Sequence, residues 1–426
     1  MVIVLCYHKI SDIRNDYNMV NVSIENFKNQ MEYLSSNYEM ISVKDIFRMV
    51  DTEECCFAVT FDDGYRNVYS NAFPILQELS IPATDFVTTG NLGTEYENWT
   101  DNIIRAIFES KNQKDYFECR NNELSGKWYT RNIEEKTSFY RKVNYMFRHI
   151  GAKKRKQYEM LLLKWAGLSA EGRIENRILT DKELKELSQN PLISIGAHSV
   201  THSFLGSLTD NEQEIEITDS IRKLREITSI PIKYMAYPFG SPASYNNKTF
   251  ELMKKNGIKM GFTTSFEGIT SKTDPYKIPR VVVGNYDLED FKNIINNIIT
   301  KLYRCNIVNT MTLTNGHQLY VGSIEKDIEL LEGKQNIVVW SCGFWGKTLY
   351  DDLKLLNMKE RIIAFGDNDL DKIGQFIEEI PVLAKSDVLN LSKKKDLVIL
   401  IKNTHDMEIY DDLKESGFRN VHVITK

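Results

Sequence analysis

The sequence lacks the features that mark several classes of protein. Lys and Arg total 54 against 59 Asp and Glu, a formal net charge of −5, so no basic excess indicates nucleic-acid binding. The six cysteines are scattered and form no C-x-x-C pair, which argues against a disulfide framework and favours a reducing compartment. No apolar run approaches the ~20 residues that a membrane-spanning helix needs.

The overall composition is that of a globular protein. Hydrophobic residues make up 42% and charged residues 27% of the 426 residues, enough for two or three domains with sizeable cores. The first eight residues have no basic segment and resemble a first strand more than a signal peptide. We therefore expect a cytoplasmic location.

Short β-rich runs recur through the first 300 residues, and helical patterns lie between most of them. This alternation predicts an α/β fold, and the number of runs favours a barrel over a small open sheet. The predicted strands are Val2–Tyr7, Cys56–Phe61, Thr84–Thr89, Leu192–Ala197, Tyr234–Tyr237, Lys259–Thr264 and Arg280–Val283.

The patterns divide the chain into two predicted domains. Residues 1–300 form the barrel domain, with a charged, helix-forming insertion at about 101–167. Residues 301–335 have weak periodicity and are interpreted as a connector, with one helix at Ser323–Leu331. Residues 336–426 repeat a β-α-β pattern and predict a second, small α/β domain.

Two adjacent aspartates follow the second predicted strand. Asp62 and Asp63 end the apolar run that begins at Phe57, and Gly64 permits a sharp turn directly after them. Both carboxylates can then reach one cavity with different roles. The alternative is an ordinary Asp-Gly turn at the surface.

Two histidines follow another predicted strand. His198 and His202 are four residues apart, which places both imidazoles on one face of a helical turn. That arrangement suits two ligands of one metal ion. Together with Asp63 the donor set becomes Asp-His-His, which leaves a coordination position open for water. The alternative is one surface histidine and one core histidine.

Three short motifs, taken together, resemble the polysaccharide deacetylase family, also called the NodB-homology or carbohydrate esterase 4 family. They are Thr-Phe-Asp-Asp-Gly-Tyr at 60–65, His-Ser-Val-Thr-His at 198–202 and Tyr-Pro-Phe-Gly at 237–240. The resemblance implies a distorted (β/α)7 barrel. It also implies hydrolysis of an N-acetyl group on an amino sugar.

The resemblance assigns roles residue by residue. Asp62 would be the general base, and Asp63, His198 and His202 would hold a divalent metal. The family's metal is usually zinc, although Ni²⁺, Co²⁺, Mn²⁺ or Fe²⁺ are alternatives. Such an ion polarises the acetyl carbonyl and acidifies its water, and a backbone N–H near Phe239 would help to stabilise the oxyanion.

Two parts of the family pattern are missing. The third motif often carries an Arg that orients the base, but Met235 and Ala236 precede Tyr237 here, and Arg280 is our candidate replacement. The late Leu-x-His motif, which supplies the general acid, is absent near residues 280–300. Members that deacetylate poly-N-acetylglucosamine begin with a Tyr-His segment whose His is the acid, a role that His8 would take. The alternatives are that Arg280 is an ordinary surface cation and that His8 is a structural histidine at a strand end.

Three aromatic residues are candidate substrate contacts. Tyr237 and Phe239 lie in the third motif, and Trp99 precedes Asp101 in the predicted insertion. Trp99 would form an apolar wall for the acetyl methyl group or a sugar ring. A tryptophan that packs in the core is the alternative.

The C-terminal region contains a glycine-rich turn after the predicted strand Ile337–Trp340. Its pattern is G-x-G-x-x-G with Ser341 in the first place, followed by Gly343 and Gly346, and Asp367 lies about 20 residues further on. The region resembles the small Rossmann-like domains that precede sugar-nucleotide acetyltransferases. These residues are candidates for nucleotide binding, and a packing domain without a ligand is the alternative.

The sequence thus predicts a metal-dependent carbohydrate N-deacetylase. Its expected partner is an N-acetylated amino sugar in a glycan, a glycan precursor or a sugar nucleotide, and no nucleic-acid partner is expected. Two alternatives stay open: a glycan-binding scaffold without activity, and an O-acetyl esterase or deformylase on the same fold.

Overall fold

A computed structural model describes most of the chain as two compact units, Met1–Ile307 and Val308–Lys426. The described residues are 1–308, 321–322 and 336–424, except for short gaps at 13–15, 18–19, 51, 53, 111–113, 121–123, 266–267, 341–345, 347–348, 351–352, 354–357, 370–371, 393–396, 402–405 and 419–420.

A curled parallel sheet forms the centre of the first unit, and it confirms the predicted α/β class. Each predicted run overlaps one of its strands. In spatial order they run β6-β5-β4-β3-β2-β1-β7, and the short strand Glu39–Met40 also pairs with β2. The strands are β1 Val2–Tyr7, β2 Cys56–Asp63, β3 Ala83–Val87, β4 Ile193–Ala197, β5 Tyr234–Ala236, β6 Met260–Phe262 and β7 Val281–Val282.

Alternation along the strands separates two layers of core. Odd-numbered residues of β1, such as Leu5, pack with Phe27 and Met31 of the first helix, whereas even-numbered residues pack inside the curl with Phe86 and Phe262. The α-helices outside the insertion, in the part of this unit that the structure describes, are Ile24–Asn37, Ile46–Met49, Phe73–Glu78, Asp181–Gln189, Asp210–Glu214, Ser220–Thr228, Asn247–Lys255 and Leu288–Val308. A wider π-helical turn at Val68–Ala72 adjoins the third of them, and another at Ile215–Asp219 joins the fifth to the sixth.

The insertion is not purely helical, so that prediction was wrong. A β-hairpin, Tyr116–Arg120 with Ser125–Tyr129, precedes the helices Ile133–His149 and Ala152–Ala166. Its strands are short, and their aromatic side chains pack against the helix that follows them. Phe117 stacks on Trp128 within the hairpin at 6.0 Å and on Phe139 of the helix at 5.2 Å. The remaining helical segments of the insertion are Trp99–Ile104 and the π-helical Arg105–Glu109.

The first unit ends at Ile307, later than the boundary that we expected at residue 300. The helix Leu288–Val308 continues past residue 300, where we expected the connector to begin. Most of that connector, including the predicted helix at Ser323–Leu331, lies outside the described residues. Among the helices of the described ranges, none is both long and apolar enough to cross a membrane.

The second unit contains a mostly parallel sheet. Its described strands lie in the order Val321–Gly322, β12, β11, β8, β9, β10 and Phe376–Ile377, and only the last pair is antiparallel. The labelled strands are β8 Asn336–Trp340, β9 Ile362–Gly366, β10 Ile380–Leu383, β11 Leu397–Ile401 and β12 Val421–Ile424, and the helices are Lys385–Ser392 and Asp406–Glu415.

One carboxyl group in β3, that of Asp85, is buried next to apolar side chains. Asp85 is 2% exposed, and neither of its carboxyl oxygens has a hydrogen-bond partner among the described residues. It lines a small cavity with Phe61, Leu76 and Leu187. Burial raises the pKa of Asp85 well above its usual value. The folded state therefore binds the proton of the Asp85 carboxyl group more tightly than the unfolded state does. Asp85 consequently lowers the free energy of unfolding more and more as the pH rises above ~4.

We expect Asp85→Val to raise the thermal unfolding midpoint, because a buried polar group without a partner costs about 1–3 kcal/mol. The gain should be larger at pH 8 than at pH 5. Thermal unfolding at both pH values measures it. Thr84→Val is the control, since Thr84 is the adjacent buried residue and does not titrate, so its effect should not change with pH. An Asp85→Val protein no more stable than the wild type at pH 8 would contradict the prediction.

Candidate active site and metal centre

The carboxyl ends of the central strands bring the candidate residues together. In the parallel register Cys6 of β1 pairs with Thr60 of β2, and Asp63 pairs with Val87 of β3. Because parallel strands end at the same edge, the residues after β1, β2 and β4 meet there. His8, the two aspartates and His198 thus share one end of the sheet.

Asp62 is held by a buried guanidinium. Nη1 and Nη2 of Arg280 donate to its two carboxylate oxygens, each at 2.7 Å, and Arg280 is 1% exposed. Arg280 also donates to Thr60 Oγ1 at 3.1 Å and to the Thr263 carbonyl at 3.0 Å. Burial alone would raise the pKa of Asp62, but the charge of Arg280 and its hydrogen bonds to the carboxylate outweigh burial and hold that pKa well below its usual range. Asp62 is therefore an ionised carboxylate with a fixed orientation.

Asp63 faces both histidines of the second motif. Its Oδ1 lies 3.6 Å from His198 Nε2 and 3.3 Å from His202 Nε2. Bonds of about 2.0–2.1 Å to a tetrahedral ion place neighbouring donor atoms roughly 3.3 Å apart. One carboxylate and two imidazoles are thus already spaced for one small divalent cation, and these donors all lie within 4.8 Å of one another.

The electrostatics of Asp63 also fit a cation. Its Oδ1 is buried and has no hydrogen-bond donor among the described residues, although a buried carboxylate without a partner is costly. Burial raises the pKa of Asp63 to about 7 in the metal-free protein. A bound cation would supply the missing partner, so the residues present fit a metal.

The imidazoles are prepared as neutral ligands. His198 Nδ1 lies 2.9 Å from the carbonyl of Ala236, which fixes the proton on Nδ1 and leaves the Nε2 lone pair for a metal. Burial lowers the pKa of His198 and, further still, that of His202. Both rings are therefore uncharged at neutral pH, as metal ligation requires.

The segment between the two histidines is not the helical turn that their spacing predicted. Ser199 and His202 have left-handed backbones, with φ of 64° and 51°, and residues 198–204 have no regular secondary structure. The two rings nevertheless lie 5.0 Å apart, centroid to centroid. A loop brings the two rings together because neighbouring residues hold its backbone. The spacing therefore predicted two adjacent imidazoles correctly, but it predicted the local structure wrongly.

His8 and a cysteine without a predicted role adjoin the base. Donor atoms of Cys6, His8 and Asp62 lie within 4.8 Å of one another, and Cys6 Sγ donates to Asp62 Oδ2 at 3.5 Å. Burial lowers the pKa of His8 and raises that of Cys6. The alternation of side chains along β1 could have indicated the position of Cys6, because residues 2, 4 and 6 of this strand lie on the same face.

Two of the three predicted substrate contacts lie beside the metal ligands. Trp99 Nε1 donates to the His202 carbonyl at 3.2 Å, and the Phe239 ring lies 4.6 Å from that of His202. Tyr237 lies elsewhere, since its fully buried ring packs on Tyr245 at 4.4 Å and its hydroxyl donates to the Tyr276 carbonyl. Its side chain therefore belongs to the core and does not line the site.

The candidate nucleotide residues are only partly described. Gly343 lies outside the described residues, and Gly346 is buried and helical. Asp367 follows β9 directly and is 8% exposed, and its Oδ2 lies 3.8 Å from Lys372 Nζ.

Two comparisons find that the chain is similar to the polysaccharide deacetylase family. Its sequence profile matches residues 49–115 and 141–261, on both sides of the hairpin. The poly-β-1,6-N-acetyl-D-glucosamine N-deacetylase of Staphylococcus epidermidis is 22% identical over 62% of this chain and 68% of its own length. The Staphylococcus aureus MRSA252 protein of the same name shows the same identity and coverage.

Solved structures of similar proteins match with modest scores. The Streptococcus pyogenes deacetylase PplD, determined in complex with acetate, is 20% identical and covers 68% of this chain and 96% of its own, with a TM-score of 0.43. IcaB from Ammonifex degensii is 16% identical, covers 69% and 94% of the two chains, and has a TM-score of 0.43.

We expect purified wild-type protein to contain close to one equivalent of a divalent metal and His198→Ala to lose it, because the substitution removes one of three closely spaced donors. Mass spectrometric metal analysis measures both. His149→Ala is the control, since His149 is exposed on the insertion and should not change the metal content. Metal absent from the wild type even after reconstitution would overturn the assignment of this centre.

Proposed function

We propose that this protein is a metal-dependent carbohydrate N-deacetylase, which hydrolyses the N-acetyl amide of an amino sugar to acetate and a free amine. One observation carries the proposal: two adjacent, buried carboxylates have different partners. Asp62 is bound by Arg280, whereas Asp63 faces two neutral imidazoles. A pure binding protein has no need for the first of these carboxylates.

Asp63, His198 and His202 would hold the metal. When bound, a divalent cation polarises the acetyl carbonyl and makes a water molecule more acidic. An Asp-His-His donor set is compatible with Zn²⁺, and it also accepts other first-row divalent ions. Three protein donors leave room for water and substrate.

Asp62 would take a proton from the attacking water. The Arg280 fork keeps its carboxylate ionised and aimed, so the base is in the correct protonation state throughout the neutral pH range. The same pairing makes Asp62 a weak proton acceptor. Its contribution therefore lies in position, and the proton must be passed on during the reaction.

His8 would deliver that proton to the departing amine. Burial lowers the pKa of His8, so its imidazole is neutral at rest and acts as an acid only after receiving a proton. Donor atoms of His8 and Asp62 lie within 4.8 Å of one another, which gives the proton a short path. The C–N bond of the amide then breaks as the nitrogen is protonated.

The rings of Trp99 and Phe239 support an acetylated sugar as the substrate. Their centroids lie 6.1 Å apart beside the His202 ring, and together they form an apolar wall at the metal ligands. Such a wall suits an acetyl methyl group or the face of a sugar ring. The similarity to the staphylococcal poly-β-1,6-N-acetyl-D-glucosamine N-deacetylases supports β-1,6-linked N-acetylglucosamine as a first substrate to test.

We expect Asp62→Asn to lower kcat for acetate release from β-1,6-linked N-acetylglucosamine oligomers about 10²–10⁴-fold while metal content is unchanged. His8→Ala should also slow the amide hydrolysis and retain the metal. Acetate release and metal content are measured on the same preparations.

Wild-type protein assayed on an O-acetylated sugar distinguishes the esterase alternative. Preference for the ester, with no amide hydrolysis, would overturn N-deacetylation as the function. An Asp62→Asn protein as active as the wild type would overturn the base, and an unchanged rate in His8→Ala would overturn the acid.

We also propose that the C-terminal unit binds a nucleotide or nucleotide sugar. The strand order β12-β11-β8-β9-β10 supports this, because β8 and β9 are neighbours and β11 lies on the other side of β8. That arrangement creates a switch point at the carboxyl end of β8, where α/β sheets bind ligands. Asp367 follows the adjacent β9, at the position of a ribose-binding acid.

Calorimetry of the full chain with uridine diphosphate N-acetylglucosamine tests this second proposal. We expect binding that Asp367→Ala weakens at least tenfold, because the variant loses a charged hydrogen-bond acceptor. Asp62→Asn is the matched control and separates this site from the barrel. The proposal fails if the wild-type chain binds no nucleotide sugar.

A further inference from the structure

The loop between the two metal-ligating histidines depends on groups from distant parts of the first unit. Ser199 and His202 have left-handed backbones, which residues other than glycine adopt only where the surrounding structure compensates. Four successive carbonyls of the loop accept hydrogen bonds from outside it. The donors are Thr89 N to Ser199 O, Gly90 N to Val200 O, Arg155 Nη2 to Thr201 O and Trp99 Nε1 to His202 O, at 2.7–3.2 Å.

The N–H groups at the centre of this loop are bound by one carboxylate. Oε2 of Glu216 accepts from Val200 N at 3.0 Å and from Thr201 N at 2.8 Å. Oε1 of Glu216 accepts from the hydroxyls of Thr201 and Ser203, the latter at 3.1 Å. Glu216 is 4% exposed and lies in the π-helical turn Ile215–Asp219. Its position is thus suited to fix the loop and not to meet solvent.

A cation from the insertion contacts the same hydroxyls. Nη2 of Arg155 donates to the Thr201 hydroxyl and, at 2.9 Å, to that of Ser203. Arg155 is 2% exposed, and burial lowers the pKa of its guanidinium to about 10, so it is still charged at neutral pH. The two hydroxyls therefore bridge a buried anion and a buried cation.

We propose that Glu216 and Arg155 are positioning residues for the metal centre. By fixing residues 199–201 they set the separation and direction of the His198 and His202 rings before the ion arrives. Without them the loop would relax from its strained backbone, and the two Nε2 atoms would no longer face Asp63 together. This inference rests on the metal site of the proposed function.

Glu216→Gln tests the positioning role. The variant keeps the shape of the side chain but replaces one acceptor oxygen with an amide that faces donors. We expect the dissociation constant for Co²⁺, measured by chelator competition, to rise about 10–100-fold, as removal of outer partners of metal ligands does. The Co²⁺ absorption spectrum should change as well, because the geometry of the ligands changes.

Glu97→Gln is the matched control for lost stability. The Glu97 side chain is buried to a similar degree and pairs with Arg173 at 2.8 Å, and among the described residues its carboxylate has no hydrogen bond to the loop. It should lower the thermal unfolding midpoint without changing Co²⁺ affinity or spectrum. Equal weakening of Co²⁺ binding in both variants would overturn the inference, since the effect would then follow stability alone.

Thr201 offers a second test if Glu216→Gln does not fold. Thr201→Val removes the bridging hydroxyl at constant shape, and Thr201→Ser keeps it. We expect Val to weaken Co²⁺ binding and Ser to restore it. Equal affinities in Val and wild type would refute the inference while leaving the metal site intact. A wild type that binds no Co²⁺ would instead refute the proposed function.

Discussion

The buried ion pair between Asp62 and Arg280 is the interaction on which the site depends. These residues are 218 positions apart, and their pairing connects the centre of the sheet to the segment before β7. Burying two charges is costly unless the geometry is good and the remaining donors are satisfied. Here the fork is bidentate, and Thr60 and Thr263 accept two more of the N–H groups. Since Thr263 follows β6, the same guanidinium also links the edge of the curl to its middle.

Adjacent aspartates meet different partners because the backbone turns between them. Asp62 is the last residue of β2 to point into the curl, whereas Asp63 and Gly64 have left-handed φ angles of 76° and 74°. A Cβ at Gly64 would lie 2.7 Å from Val87 Cγ1, so only glycine permits this turn beside β3. One carboxylate thus meets a cation of the chain, and its neighbour is left for a metal.

Much of the fold was predictable, because a strand buried on both faces is a continuous apolar run and such runs stand out between helical patterns. The hairpin at 116–129 was not, since its aromatic side chains gain burial by packing against Phe139 and Trp165 of the two helices that follow it. The helical turn at His198 was predicted wrongly. Spacing alone cannot reveal that Glu216 and Arg155 bind the loop's polar groups, because those contacts join residues 13 or more positions apart.

The sequence by itself determined where the strands lie along the chain and which functional groups follow them: two carboxylates, two imidazoles and a turn glycine in short motifs. These depend on local patterns of polarity, which the chain carries along its length. Tertiary structure alone decided which charges meet. Contacts between distant segments pair Asp62 with Arg280 and hold residues 199–201 through Glu216 and Arg155. They also leave Asp63 Oδ1 without a hydrogen-bond partner among the described residues. Burial strengthens each of these electrostatic interactions and makes every unpaired group costly.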